Sequence, residues 1–403
     1  MRTAYKCRAY PDLEQASVLN RTFGCIRVVW NRTLAWRHAR YHGEQARTNF
    51  TEANAYLTEM KASEDLGWLN EVSSVPLQQA IRHQQVAFSN FFAGRARYPR
   101  YKSRNGRQSA EYTRSGFRYR EGQLLLAKMS TPLEFAWSWP DVDPTSIEPT
   151  TVTVSRDPCG RWYVSFVVDA ADPVQLPATG AVVGVDLGIK DFAVTSDGEK
   201  IPNPRRMDRR ERNLARYQRR LARCQKGSAN RAKAKAKVAR AHRKVRASRA
   251  DFLHRTSNRL VRDYDVIVIE DLAVKNMVRN RSLAKAISDC GWGEFRRQLE
   301  YKAATGGRHL IVIDRWHPSS KTCSACGHLL ARLSLSTRTW QCPSCGTRND
   351  RDINAAKNIL AAGLAVSACG GDVRHSGPSR VRSPVKQEPR LVTAGIPILQ
   401  GGE

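Results

Sequence analysis

The sequence predicts a multidomain α+β protein: a helical lobe, a small β-barrel, and an α/β domain interrupted by a small cysteine-bearing insert. Three patterns carry that reading. Apolar residues recur every three or four positions from Leu13 to about Tyr41 and again from Leu77 to Phe91. Residues 117 to 169 alternate apolar and polar as strands do. From Ala181 onward strands and helices alternate, and a last strand is separated from a last helix by Cys323-x2-Cys326-x15-Cys342-x2-Cys345. At 403 residues the chain has room for two or three cores of ordinary size.

The first ten residues read as a short strand. Leu13 to roughly Tyr41 reads as helix, with Leu19, Phe23, Ile26, Trp30 and Leu34 on one stripe. A second helix should start near Ser74-Val75-Pro76, where a serine caps and an early proline has no N–H to leave unpaired. Residues 94 to 107 interleave basic residues with Tyr98 and Tyr101, which suits phosphate contact and base stacking; a solvated basic linker is the alternative. Thr151-Val152-Thr153-Val154 and Trp162-Tyr163-Val164-Ser165-Phe166-Val167 should form a hairpin turned at Asp157-Pro158-Cys159-Gly160. The N-terminal strand would complete a small barrel with them. Pro173 to Gly180 reads as a linker, and Asp197-Gly198 as a hairpin turn after Phe192-Ala193-Val194. A helix from about Phe252 leads into the strand ending at Glu270, a basic loop follows, then a helix around Gly293 to Ala304 and the strand Leu310-Ile311-Val312-Ile313. A helix from Asp352 to about Ala365 comes last, and Gly370 to Glu403 has a disordered composition.

The net charge is +30, with 67 Lys and Arg against 37 acids. Self-repulsion on that scale calls for a polyanion, and nucleic acid is the leading partner. Arg205 to Arg249 alone carries nineteen Lys or Arg against Asp208 and Glu211, in an alanine- and leucine-containing helical context broken near Gly227-Ser228. No apolar run approaches the ~20 residues that span a bilayer, and Met1-Arg2-Thr3-Ala4-Tyr5-Lys6-Cys7 has no apolar signal core. The expectation is a cytoplasmic protein acting at the nucleoid, with no membrane partner. Of the ten cysteines, Cys7, Cys25, Cys159, Cys224, Cys290 and Cys369 form no framework and read as reduced thiols.

The chemistry lies in three acids and four thiols. Asp186 follows the run Ala181-Val182-Val183-Gly184-Val185, Glu270 ends Val266-Ile267-Val268-Ile269, and Asp352 opens the last helix. Singly, each could be a turn former or a cap. Together, on strand, strand and helix in the order of a ribonuclease H type of fold, they suit two Mg2+ ions about 3.5 to 4 Å apart for phosphodiester hydrolysis. Asp186 would lie between the metals, with Glu270 and Asp352 each holding one. Cys323, Cys326, Cys342 and Cys345 sit on two knuckles, Cys323-Ser324-Ala325-Cys326-Gly327 and Cys342-Pro343-Ser344-Cys345-Gly346. That spacing closes one structural Zn2+ site with no open position; a redox role for a C-x-x-C pair is the alternative.

At these residues the sequence resembles the TnpB family, the OrfB-type proteins of small bacterial insertion sequences, related to type V CRISPR effectors. The resemblance rests on Gly184-Val185-Asp186-Leu187-Gly188-Ile189-Lys190, Ile269-Glu270-Asp271-Leu272, the two knuckles, and Asp350-Arg351-Asp352-Ile353-Asn354-Ala355-Ala356-Lys357-Asn358-Ile359. Ser74-Val75-Pro76-Leu77-Gln78-Gln79-Ala80 and the Trp30-Asn31 region add to it, so that it covers residues 1 to 368.

It implies an RNA-guided DNA endonuclease with a single RuvC site and a guide RNA derived from the transposon end. Double-stranded target DNA would be cut beside a short transposon-adjacent motif. It implies a wedge-like β-barrel at 1-12 plus 105-178, a helix-turn-helix-like recognition lobe at 13-104, a RuvC nuclease domain at 181-314 plus 350-368, a zinc ribbon at 315-349 and a disordered tail at 370-403. By the family motif the third catalytic acid is Asp352, not Asp350. Motif reading would involve Gln78, Gln79 and Arg82, with Tyr98, Arg100, Tyr101 and Lys102 as further nucleic-acid contacts, in a monomer carrying one RNA. Two competing readings remain: a guided DNA-binding regulator without cleavage, against which the intact acids argue, and a RuvC-like resolvase or transposase that needs no guide.

Overall fold

The structure is a computed structural model; it describes residues 2–170 and 175–368 apart from Leu335. The chain divides near residue 171 into two compact units. The tail from Gly370, expected to be disordered, lies outside the described residues.

In the first unit β1 (Arg2–Ala9) leads to α1 (Leu13–Glu44), α2 (Phe50–Ala62) and α3 (Ser74–Phe92). The strands β2 (Gln108–Thr113), β3 (Phe117–Arg120), β4 (Gln123–Leu126), β5 (Phe135–Ala136), β6 (Pro149–Arg156) and β7 (Trp162–Asp169) follow. Helix α1 starts on a reciprocal capping box between Asp12 and Gln15, and α2 on one between Asn49 and Glu52. Asn49 and Glu52 are the signal for α2, which the apolar stripe alone does not show. Strands β2, β6, β7, β1 and β5 form one antiparallel sheet in that order, while β3 and β4 pair separately. The expected hairpin joins β6 to β7, with Gly160 at φ +81°, a conformation that costs glycine little. The lobe and the sheet, expected as separate domains, share one hydrophobic core: Leu19, Phe23, Leu77 and Ile81 pack with Tyr112, Val152 and Phe166, and Phe23 stacks on Trp162.

The second unit runs β8 (Val182–Leu187), β9 (Asp191–Thr195), β10 (Lys200–Pro202), α4 (Glu211–Arg223), α5 (Ala229–Asp263), β11 (Val266–Glu270), α6 (Val274–Met277), α7 (Ala284–Cys290), α8 (Trp292–Gly306) and β12 (His309–Ile313). It closes with β13 (Thr339–Gln341), β14 (Arg348–Asp350) and α9 (Arg351–Ala368). Its sheet has the order β10-β9-β8-β11-β12, antiparallel through β8 and parallel from β8 to β12. Residues 176–178, expected with the barrel, belong here instead: Leu176 N–H donates to Gly306 O and Arg308 donates to Pro177 O.

Side-chain alternation sorts this sheet into two faces. Val183, Val185, Ile267 and Ile269 point to one face and pack with Leu253, Leu260, Phe295 and Leu299 of α5 and α8. Val268 points to the other and packs with Ile359 of α9. Helix α9 lies directly on the strands there. A Cβ on Gly184 would run into the Ala356 carbonyl and come within 2.7 Å of Leu360 N, and one on Gly363 would strike Val268. Glycine is therefore required at Gly184 by close approach rather than by a turn.

The basic stretch forms a helical hairpin. Its turn passes through Gly227 at φ +86°; Ser228 caps α5, and Arg231 donates to the carbonyls of Leu221 and Cys224 at the end of α4. The helix expected from Phe252 is the second half of α5, which runs 35 residues without a break. The loop expected after Asp271 contains α6 and α7, too short to show a period. Among the described residues no helix is long and apolar enough to cross a membrane.

Candidate active site and metal centre

The face that α9 covers is also the face of the acids. Asp186 is two residues past Gly184 and Glu270 two past Val268, so both side chains follow the α9-facing parity of their strands. Val185 pairs with Ile269 in parallel register, which puts the two acids side by side at the same strand ends. Asp352 stands in the first turn of α9. Burial, then the charges of Glu270 and Asp352, push Asp186 up to about 7, with Arg351 and the Leu187 N–H opposing. Although part of its surface stays exposed, the enclosing strands remove enough water to disfavour the anion. Glu270 is raised by burial too, against a hydrogen bond from Ser319 Oγ at 2.5 Å and the charge of His317. Oxygen donors that repel one another in a half-buried site fit a hard divalent cation, the chemistry of Mg2+.

Asp350 is engaged elsewhere. Its Oδ1 accepts the backbone N–H groups of Asp352 (3.1 Å) and Ile353 (3.2 Å), and its Oδ2 pairs with Lys200 Nζ at 2.6 Å. Burial would raise its pKa, but these partners hold it below the usual carboxylate range. Asp350 thus caps the helix on which Asp352 stands. Asp352 keeps a loose contact, 3.8 Å, with Arg338.

The four cysteines converge. Their sulfurs all lie within 4.8 Å of one another, and among the described residues no other group of His, Cys, Asp and Glu gathers in this way. Cys323 and Cys345 sulfurs are 3.8 Å apart, Cys326 and Cys342 sulfurs 3.6 Å. A tetrahedron with zinc–sulfur bonds of about 2.3 Å has edges of about 3.8 Å, so the thiols fit Zn2+. The two knuckles repeat one design: Cys323 N–H bonds His328 O and Gly327 N–H bonds Cys323 O, as Cys342 bonds Thr347 and Gly346 bonds Cys342, each at 2.9 Å. Gly327 and Gly346 take φ of +75° and +72°. The Thr347 hydroxyl and N–H bring Cys345 down to about 6. Strands β13 and β14 pair behind the second knuckle, and Trp340 covers Cys323 and Cys342.

Sequence reasoning missed the residues that join the two centres. Asn354 Oδ1 accepts Ser324 N–H at 2.8 Å, and Asn354 Nδ2 donates to Thr322 O at 2.7 Å. Asn358 Nδ2 donates to Thr322 O at 2.6 Å and Ser319 O at 2.7 Å. The spacing of two buried amides four apart, immediately after Asp352, was the available signal. Asp271, beside Glu270, is held by Arg296 and Arg315.

The nucleic-acid candidates of the first unit divide. Gln78, Arg82, Arg100 and Tyr101 are exposed, with Arg82 over the Phe50 ring. Gln79 is buried in the face of α3 that packs on the core. Tyr98, 39% exposed, stands edge-on to Phe88 and Phe91. Lys102 lies 4.3 Å from the Trp30 ring centre, and burial lowers its pKa to about 8. Its backbone is gripped on both sides by the Asn31 amide, and Trp30 Nε1 donates to Arg100 O. The loop is pinned from behind, leaving Arg100 and Tyr101 outward.

The chain matches known families in three segments. Residues 165–281 match the OrfB_IS605 family, described as "Probable transposase", residues 292–359 the "Cas12f1-like, TNB domain", and residues 1–45 a "Helix-turn-helix domain". A Streptomyces pristinaespiralis protein named "Putative RNA-guided DNA endonuclease" is 54% identical over 99% of both chains. The Escherichia coli (strain K12) protein "Putative RNA-guided DNA endonuclease InsQ" is 33% identical over 96% of this chain and 97% of its own. Among solved structures, the Cas12f1 chain of a "Cas12f1-sgRNA-target DNA complex" aligns with a TM-score of 0.55 over 87% of this chain and 83% of that one. At 13% identity, that likeness speaks for the fold alone. Identity above half, sustained from end to end of a relative, establishes kinship, and the chain belongs to the OrfB-type TnpB family.

Proposed function

We propose that this protein is an RNA-guided DNA endonuclease that hydrolyses phosphodiesters at a single RuvC site formed by Asp186, Glu270 and Asp352. The observation that carries the reading is the electrostatic coupling of Asp186 to the other two acids at the shared end of two parallel strands. The names of its full-length relatives support the guide RNA and the DNA target. Two Mg2+ ions, when bound, would supply the charge that polarises the scissile phosphate and acidifies an attacking water. Asp186 would bridge them, while Glu270 and Asp352 each complete one side. Asp350 fixes the start of α9 and stays out of the metal shell. The Zn2+ in the ribbon is structural.

The α4–α5 hairpin, unbalanced in charge, holds nucleic-acid backbone by counterion release. Gln78, Arg82, Arg100 and Tyr101 are the exposed candidates for reading the target-adjacent motif and for stacking. In this reading residues 1-12 plus 105-170 make a wedge-like barrel beside the lobe at 13-104. The protein works as a monomer on one transposon-derived RNA in the bacterial cytoplasm, at the nucleoid.

The test is purification with sequencing of bound RNA, followed by cleavage of matched DNA in Mg2+. Wild type should cut, and Asp186→Ala should bind the same DNA and cut it on the order of 10³-fold more slowly. Cleavage of equal specificity after complete RNA removal would overturn the guided reading, and undiminished cutting by Asp186→Ala would overturn the site.

A further inference from the structure

We propose that Ser319 is a positioning residue for Glu270, and that Asn354 and Asn358 set it from the helix that carries Asp352. The inference rests on the nuclease reading above and extends it to the ribbon. Glu270 pairs in register with Ile313, so the loop that leaves β12 begins beside the acid. That loop turns back at once: Ser319 N–H bonds His317 O at 2.8 Å, and Lys321 and Thr322 N–H groups bond Pro318 O, each at 3.1 Å. The turn delivers the Ser319 hydroxyl to Glu270 Oε1. Arg315, on the same loop, ties it again to Asp271.

What fixes Ser319 from behind is α9. Its carbonyl accepts Asn358 Nδ2 at 2.7 Å and Asn354 Nδ2 at 3.4 Å, and Thr322 O, one residue before the first zinc thiol, accepts both amides as well. Ser319, Asn354 and Asn358 are all at most 8% exposed, so water does not compete for these bonds. One short peptide segment therefore touches the second acid, is held by the helix of the third, and enters the zinc knuckle. A hydroxyl donated to one carboxylate oxygen does two things. It fixes the rotation of the Glu270 carboxylate, and it leaves the second oxygen available to a cation. Partners of metal ligands at this remove typically change affinity or activity about 10- to 100-fold when lost.

The experiment uses the full-length protein with its co-purified RNA and measures the Mg2+ concentration at half-maximal cleavage. Mn2+ binding to the DNA-bound complex, followed by electron paramagnetic resonance, gives a readout independent of activity. Ser319→Ala should raise both midpoints about 10-fold. Zinc content and DNA binding should stay as in wild type, and Ser319→Thr, which keeps the hydroxyl, should restore both midpoints. Unchanged midpoints in Ser319→Ala overturn the proposal, as does an equal shift in Ser319→Thr. Should Ser319→Ala lose zinc, Asn358→Ala decides, because it leaves the hydroxyl in place: a smaller shift in the same direction, about 3-fold, supports the proposal and no shift overturns it. If Asp186→Ala still cuts, the nuclease reading fails, yet the Mn2+ arm still reports on Ser319; if Asp186→Ala is inactive and Ser319→Ala binds metal normally, only the present proposal fails.

Discussion

Two sets of acidic groups stand in the second unit, and they solve opposite problems. The thiols of Cys323, Cys326, Cys342 and Cys345 are gathered by paired knuckle turns whose backbone bonds repeat atom for atom. The carboxylates of Asp186, Glu270 and Asp352 come from two strands and a helix, and sheet parity and the seating of α9 set them on one face. Local turns make the first set, and the packing of the whole unit makes the second. A thiolate site of that form belongs to the fold, while a carboxylate site is kept under electrostatic strain that a cation would relieve.

Removing one ligand from each set should expose this contrast. Cys342→Ser should take zinc content from about one per chain to none and open the ribbon to proteolysis between residues 315 and 349, since metal binding supplies roughly 10 to 16 kcal/mol in peptides of this kind. Atomic emission and limited digestion check it, and retained zinc would break the comparison on the thiol side. Asp350→Ala tests whether the acids are distinct: losing the cap costs about 0.5 to 2 kcal/mol, a fall in Tm of a few degrees, with cleavage reduced less than about 10-fold. Asp352→Ala should instead abolish cutting with little change in Tm. Reversal of that pattern would hand the catalytic role to Asp350.

The smallest effect concerns pH. Asp186 has a folded pKa of about 7 against an ordinary value of 3.8. A raised pKa means its contribution to stability is full below the ordinary value and is lost as pH rises through about 7. Asp186→Asn escapes that loss. In metal-free buffer the variant should match wild type near pH 4 and exceed it by about 5 °C in Tm at pH 8, with Mg2+ narrowing the gap. An equal Tm of variant and wild type at both pH values would show that neither burial nor the neighbouring acids hold the Asp186 carboxyl above its ordinary range.

These contrasts also explain what the sequence disclosed. The knuckles and the three acids were legible because their motifs are local: a C-x-x-C-G turn, an acid at the end of an apolar run, an acid at a helix start. The basic hairpin was legible from charge and its glycine. The single core beneath the first unit's helices and sheet was not, because a stripe shows that a face is buried without showing against what. Helix α2 was missed, its polar capping pair being easily taken for loop. Gln79 was a nucleic-acid candidate by its place in the sequence, and only the packing of α3 on the core shows it buried. The bond from Ser319 to Glu270 spans 49 positions, a distance at which no spacing rule operates.

The seating of α9 on Gly184 has a further consequence, for the order in which the protein is made. During synthesis the ribosome releases β8 and β11 well before α9, so Asp186 and Glu270 emerge without their third partner. The close approach of Ala356 and Leu360 to Gly184 waits until the zinc knuckles have been translated, because α9 follows them in the chain. A chain broken off between residues 270 and 352 would carry Asp186 and Glu270 and no Asp352. Such a fragment would lack one of the three carboxylates of the proposed site, whatever nucleic acid it still held.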